Sequence, residues 1–331
     1  MESFATLARQ YRAACYDGAP AVANVLITGG AGYVGAVVTG SFLAAGHDVT
    51  VLDSLAAGGQ GLLAYVPNRR FRFVRGDVRD PRAVGDALKR QDAIVHLAAV
   101  VGFGACNADP QRAESVNVGG TGTLLAARAP DQLLLHASTG SVYGAVPDGR
   151  CHEGIDPAPL SLYGRTKLQG ERMALDAGNA LAFRFATAFG MSPQMRLDLL
   201  VNGFVYSAKR RGYLVVYDKD ARRTFIHVRD MARAFLYGLE HFGAMAGEVF
   251  NAGDERLNLT KDEVARLIMA RHAYFLTYGP AGTDEDQRDY AVSYEKLRRR
   301  GFETHVTIED GIDELLRGVD LLHHRGPFGE T

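Results

Sequence analysis

Tyr163 and Lys167 stand four residues apart in the segment Tyr163-Gly164-Arg165-Thr166-Lys167. On a helix this spacing puts both side chains on one face, one turn apart. A phenol with an ordinary pKa near ~10 is a poor base at neutral pH. A neighbouring ammonium favours the phenolate and brings the group toward useful proton transfer. Upstream lies Ala137-Ser138-Thr139-Gly140-Ser141-Val142-Tyr143-Gly144, rich in hydroxyls. A hydroxyl there could hydrogen-bond a substrate oxygen and share its proton with Tyr163. Ser, Thr and Gly suit an ordinary turn equally well, and a Tyr can simply pack on a Lys stem. The chemistry therefore depends on what brings these segments together.

A second constellation lies near the start. Asn24–Gly35 reads NVLITGGAGYVG. Gly30, Gly32 and Gly35 satisfy G-x-G-x-x-G, and Gly29, Gly32 and Gly35 satisfy G-x-x-G-x-x-G. Such glycines tighten a strand-to-helix turn and let backbone N–H groups approach a pyrophosphate at the helix start. Asp53 follows Gly35 by eighteen residues, at the end of a second apolar run. A carboxylate there accepts hydrogen bonds from the ribose hydroxyls of NAD and repels a 2′-phosphate. Ser54 and Leu55 follow it, with no Arg to favour NADP. Asp77 follows a third run and could reach an adenine, or could equally cap a turn.

The elements that must position these groups alternate. Apolar runs at Asn24–Thr28, His47–Asp53, Phe71–Arg75, Asp92–Leu97, Gln132–Ala137 and Ala180–Phe185 read as strands. Helical periodicity at Tyr33–Ala45, Pro81–Lys89, Asp109–Ala129 and Leu162–Ala177 separates them. This pattern predicts an α/β fold: a Rossmann-type, doubly wound parallel sheet. Beyond Phe189 the pattern loosens. A helix is expected over Leu199–Arg210, a strand over Phe225–Val228, a helix over Arg229–His241 and a strand over Glu248–Asn251. Thr260–Arg271 should be a helix capped by Thr260 and Glu263, and Gly311–Leu321 a last helix. The expected organisation is an N-terminal extension over 1–22, possessing a short amphipathic helix from Met1 to Gly18, then an NAD-binding domain over 23–190. Residues 191–331 would form mainly a smaller C-terminal substrate-binding α/β subdomain, with some elements returning to the first domain and a frayed tail from His323.

The bulk numbers agree with a globular protein. The 331 residues are 47% hydrophobic and 23% charged, with formal net charge −1. That balance gives no electrostatic footprint for nucleic acid or an anionic membrane, and no apolar run nears the ~20 residues of a spanning helix. Cys15, Cys106 and Cys151 are too scattered for a disulfide framework or a zinc ribbon. No metal site is expected. The reading is a cytoplasmic protein with reduced thiols.

Taken in order, Thr28–Gly35, Asp53, His96-Leu97-Ala98-Ala99, Asn117, Ser138–Gly144 and Tyr163–Lys167 resemble the extended short-chain dehydrogenase/reductases. The nearest likeness is to the NAD-dependent nucleotide-sugar epimerase/dehydratase family. Arg223–Asp230 (RTFIHVRD) and Val249–Gly253 (VFNAG) extend it, so that it runs from about Asn24 to Leu316. The resemblance implies Tyr163 as acid/base, Lys167 on the nicotinamide ribose, and Thr139 as the hydroxyl partner. It implies cofactor contacts from Gly29, Gly32, Tyr33, Val34, Asp53, Asp77, Val78, Leu97, Ala98, Ala99, Asn117 and Ser138. It implies substrate contacts from Thr139, Asn202, Arg223 and Arg288, the last three on the pyrophosphate; Arg196 lies where members vary, and could hold sugar or phosphate or form an ion pair. Arg suits a diphosphate through its planar fork. It further implies a homodimer through the helices at Asp109–Ala129 and Leu162–Ala177.

The shared chemistry in this family is oxidation of a sugar hydroxyl to a transient ketone with formation of NADH. Dehydratases of the family place an Asp-Glu pair directly after the active-site Thr, and decarboxylases usually keep the Glu. Here those positions are Gly140 and Ser141. The expected activity is thus an NAD-dependent nucleotide-sugar epimerase, most simply at C4. A dehydratase or net dehydrogenase is the alternative, in which Glu153 or Cys106 could supply a missing group. A non-catalytic NAD-binding regulator would be expected to have lost the Tyr/Lys pair, which is intact.

Overall fold

A computed structural model describes residues 22–144, 150–280 and 290–322. The expected helix at Met1–Gly18, the tail from His323, and Arg288 lie outside them.

Strands β1 (Asn24–Thr28), β2 (Asp48–Asp53), β3 (Phe71–Arg75), β4 (Ala93–His96) and β5 (Leu133–Thr139) alternate with helices. Those helices are α1 (Tyr33–Ala45), α2 (Pro81–Leu88), α3 (Phe103–Ala108) and a composite α4 over residues 110–127. Helix α5 (Leu162–Asp176) leads to β6 (Ala180–Phe185). From there follow β7 (Thr187–Phe189), α6 (Leu200–Tyr206), β8 (Tyr213–Val216), β9 (Arg222–His227) and α7 (Val228–Glu240). The chain continues with β10 (Val249–Ala252), β11 (Asn258–Thr260), α8 (Lys261–Met269), β12 (Phe275–Tyr278) and α9 (Ile308–Gly318).

Seven parallel strands make the central sheet, in the order β10-β6-β5-β4-β1-β2-β3. Successive residues of a strand point to opposite faces, and the core follows that rule. Val25, Ile27, Val51, Val95 and Leu135 pack on one side of the sheet with α1 and α7 residues such as Phe42 and Phe235. Leu26, Leu52, Ile94 and Leu134 pack on the other with Val84, Leu124 and Ala174. A separate apolar cluster joins Phe189, Val205, Phe225, Ile268 and Ile312 from the later elements. These also form a three-stranded sheet, β11-β9-β7, and the pair β12-β8. Strand order reverses between β1 and β4, which start successive runs in opposite directions. The carboxyl ends of those strands are where such sheets bind ligands.

Two expectations change. Residues 109–129 do not form one regular helix: Pro110–Glu114 and Thr121–Ala127 flank a π-helical turn at Ser115–Gly120. A Cβ at Gly120 would lie 2.7 Å from Val78 Cγ2, so the chain there sits close against the β3–α2 connection. Helix α6 likewise passes into a π turn, Ser207–Arg211. Such turns insert one residue per turn and rotate the helix beyond them; apolar periodicity does not register them. Strands β7, β8 and β12 are too short to stand out by alternation. The capping box at Thr260 and Glu263 forms as expected.

Candidate active site

The cleft opens along the carboxyl ends of β1, β2, β4, β5 and β6 and encloses about 630 Å³. Its first wall is the β1–α1 turn. Gly29 has φ +74°, and a Cβ there would lie 2.7 Å from the backbone N of Ala98. A Cβ at Gly35 would lie 2.1 Å from the Gly29 carbonyl oxygen. Only glycine permits this turn, which aims the start of α1 into the cleft. The cap residue Gly32 offers that helix no side-chain acceptor. The first N–H groups of a helix have no partner within it, so these face the cleft as donors for phosphate oxygens.

Asp53 stands at the end of β2. Its carboxylate accepts from the N–H of Ala31 at 3.0 Å and of Leu55 at 2.7 Å. It thereby fixes both loops and keeps acceptor capacity for ribose hydroxyls. Asp77 also lines the cleft. It is paired with Arg79, which donates from Nε and Nη2 at 2.9 and 2.7 Å. That hydrogen bond holds the Asp77 carboxyl below its usual range. Val34, Val78, Leu97, Ala98 and Ala99 complete this half. Backbone donors, a ribose-facing carboxylate and apolar walls fit NAD.

The other half holds the reactive groups. Thr139, Tyr163, Lys167 and Ser138 all line it. Helix α5 begins at Ser161, whose side chain accepts from Gly164 N–H at 3.0 Å. This cap starts the helix so that Tyr163 is in its first turn and Lys167 in its second. Thr139 accepts from Ser141 N–H at 3.2 Å and donates to Ser141 Oγ at 3.1 Å. Lys167 is 6% exposed. Burial lowers its pKa to about 8, against the opposing attraction of Glu171 and Cys106.

Three predicted contacts lie outside the described lining of the cleft. Asn117 is 3% exposed and does not line the cleft. Its amide donates to Val100 O and Thr166 Oγ1, both at 3.0 Å, and its Oδ1 accepts from Val100 N–H at 2.7 Å. It lies in the π turn and ties the post-β4 loop to α5, bracing one wall of the cleft from behind. Asn202 is fully buried. Its Oδ1 accepts from Gly190 N–H at 3.0 Å; its Nδ2 donates to Arg196 O at 3.0 Å and Tyr33 Oη at 3.2 Å. It is committed to backbone and Tyr33, and not to the cleft. Tyr33 lines the cleft, yet its hydroxyl donates to Gly190 O at 2.7 Å. Arg223 is buried, donates to Arg222 O at 3.0 Å, and is not part of the described lining. Arg196, by contrast, lines the cleft and is paired with Asp198, Nε donating at 3.0 Å. Burial works against its charge, Asp198 sustains it, and Tyr163 and Tyr33 lie within its electrostatic reach.

Sequence reasoning missed what stands behind Thr139. Ser138 donates to Glu171, which is 2% exposed. Glu171 accepts from Arg184 Nη2 at 2.6 Å and Nε at 3.0 Å. Arg184 also donates to Tyr143 Oη at 3.1 Å, and Tyr143 donates to Asn251 Oδ1 at 2.7 Å. The signal for Glu171 was present: it continues the Tyr163, Lys167 spacing by another four residues. Tyr290 also reaches the cleft, donating to Gly140 O at 2.6 Å.

The comparisons with known proteins agree with this geometry. Residues 25–253 match the model of the NAD dependent epimerase/dehydratase family, and the chain belongs to that family, with NAD as its cofactor. It is 32% identical to a dTDP-glucose 4,6-dehydratase of Streptomyces niveus over 88% of this chain and 91% of that one. It is 28% identical to a UDP-glucose 4-epimerase of Lacticaseibacillus casei over 92% of this chain and 98% of that one. The crystal structure of a Thermus thermophilus UDP-glucose 4-epimerase with NAD superposes with a TM-score of 0.78 at 27% identity, covering 90% of this chain and 99% of that one. Among the described residues no helix is long and apolar enough to cross a membrane.

Proposed function

We propose that this protein is an NAD-dependent nucleotide-sugar epimerase, most simply inverting C4 of the sugar. Bound NAD supplies the reversible oxidation of a carbinol to a ketone. Gly29, Gly32 and the α1 start would hold its phosphates, Asp53 its adenine-side ribose, and Lys167 with Ser138 its nicotinamide end. Tyr163 takes the proton of the sugar hydroxyl as the ketone forms, with Thr139 orienting the same oxygen. Lys167 favours the phenolate. The keto-sugar then presents its other face, and Tyr163 returns the proton to the same oxygen.

The observation that carries this choice is the supply of carboxylates. Removing a proton at C5 and expelling water needs further acid/base groups. Among the described residues lining the cleft the carboxylates are Asp53, Asp77 and Asp198. Asp53 holds loop N–H groups, Asp77 is paired with Arg79, and Asp198 with Arg196. Glu153 accepts from Asn251 N–H at 2.7 Å, and Cys106 donates to Val100 O at 3.4 Å. Each is thus engaged with a backbone group, and neither is in the described lining of the cleft. Arg196 remains the described cation best placed for the sugar or its phosphate.

The test is a panel of UDP-, dTDP-, GDP- and CDP-sugars incubated with protein and NAD, with products read by NMR. Interconverted epimers without net NAD consumption support the proposal. A 4-keto-6-deoxy product, or NAD consumed mole for mole, overturns it. A cytoplasmic homodimer accompanies the reading; light scattering of the eluted peak tests the dimer, and a single-chain mass removes it.

A further inference from the structure

Glu171 stands where three constraints meet. It lies four residues after Lys167 and eight after Tyr163 on α5, so the three share one helix face. Its carboxylate is buried and split between two donors, Ser138 beside the catalytic threonine and Arg184 on β6. Burying two charges is costly unless they are paired and hydrogen-bonded, and a well-packed apolar pair often serves stability as well. A fold that only needed packing here would gain little from an ion pair. The pair is also set beside the one group whose charge the proton transfer requires.

Lys167 is buried amid few compensating charges. Cys106 on α3, His96 on β4 and His136 on β5 face it, and burial, with Lys167 itself, pushes His96 down to about 3 and holds His136 well below the usual imidazole range. Tyr163 is on its own helix. Glu171 is a carboxylate one helical turn from it, and its attraction is the largest that opposes the burial of the ammonium. Resting on the reading of Lys167 as the partner of Tyr163, we infer that Glu171 is a positioning residue that keeps Lys167 an ammonium and pins Ser138 at the nicotinamide end. Arg184 holds that carboxylate in place through its Nε and Nη2 donors. The reaction thus depends on a charge that touches neither substrate nor cofactor.

The chain has six lysines, so Lys167 can be followed directly with [ε-13C]lysine NMR and assigned with Lys167→Arg. Glu171→Gln removes the charge and keeps an acceptor for Ser138. Because it strands Arg184, the double variant Glu171→Gln/Arg184→Met is made beside it. In both, the Lys167 resonance should titrate at least about one pH unit lower than in the parent, about a tenfold fall in the ratio of ammonium to amine at a given pH. Glu171→Asp should restore most of the shift. An unchanged midpoint in the folded double variant overturns the inference, and a merely packing role predicts that result. The readout needs no turnover. If the parent epimerises no sugar yet the resonance moves, the functional proposal fails and the assignment of Glu171 to Lys167 stands.

Discussion

Asn202→Ala separates a structural amide from a pyrophosphate ligand. In the folded protein the side chain makes three buried hydrogen bonds, to Gly190 N–H, Arg196 O and Tyr33 Oη. A buried hydrogen bond contributes about 1 kcal/mol net, and a stranded buried partner costs about 1–3 kcal/mol. Tyr33 keeps its bond to Gly190 O, so Gly190 N–H and Arg196 O bear most of the loss. The expected destabilisation is about 2–4 kcal/mol, a fall in Tm of roughly 3–6 °C for a chain of this size. The assay is thermal melting of NAD-loaded protein, together with kcat and KM at a temperature well below both midpoints. There the KM for the nucleotide sugar should move less than about threefold, since the amide does not line the cleft. A Tm unchanged within about 1 °C, with KM raised tenfold or more, would refute the reasoning and return Asn202 to the substrate.

Three further outcomes are expected. Tyr163→Phe should lower turnover by about 10²–10⁴-fold while NAD still binds, measured by quenching and steady-state rates; undiminished turnover would remove Tyr163 from proton transfer. Activity should fall as pH rises through about 8, where buried Lys167 loses its proton, and a pH profile of kcat/KM with no alkaline limb near there would contradict it. His136→Leu should flatten the acid side of the stability curve. Burial depresses the folded pKa of His136, so the stability of its neutral ring is present above the unfolded value near ~6.5 and is lost as pH falls below it, at up to about 1.4 kcal/mol per pH unit. Denaturant melts between pH 7 and 5 with identical slopes in parent and variant would count against this.

The sheet and its cofactor end were legible because the signals there are local. Glycines that must bend the chain, a carboxylate at a strand end and hydrophobic periodicity are properties of neighbours in sequence. That Thr139, Tyr163 and Lys167 line one cleft was legible for the same reason, each lying at a strand end or on one helix face. Asn117, Asn202 and Arg223 show the limit. Their residue types suit a ligand or a backbone brace equally, and the choice depends on which way a helix has rotated. The π turn at Ser115–Gly120 decides it for Asn117, and apolar spacing does not reveal that turn. Glu171 and Arg184 are thirteen residues apart on different elements, so their pairing exists only once α5 packs on the sheet.

Asn117, Asn202 and Glu171 share one arrangement, and it bears on mechanism. Asn117 ties the loop after β4 to α5; Asn202 ties Gly190 and Arg196 to Tyr33 of the glycine turn; Glu171 ties the end of β5 to β6. Each joins two walls of the same cleft from behind. Ser192 adds a bond from its hydroxyl to Tyr33 O at 2.7 Å, and Gln194 reaches across to Ala57 O at 2.7 Å. Proton transfer and carbinol oxidation both need reacting atoms held within a fraction of an ångström, and a misplacement of about 1 Å can cost 10²-fold. Polar braces resist shear between elements where apolar packing alone would slide. Under the proposed epimerase reading, the same carbon would be oxidised and then reduced, and that demand would arise twice per turnover with one set of groups. Braces behind Tyr163, Lys167 and Thr139, rather than contacts with the sugar, would then let a keto-sugar turn while the proton-transfer groups stay in place.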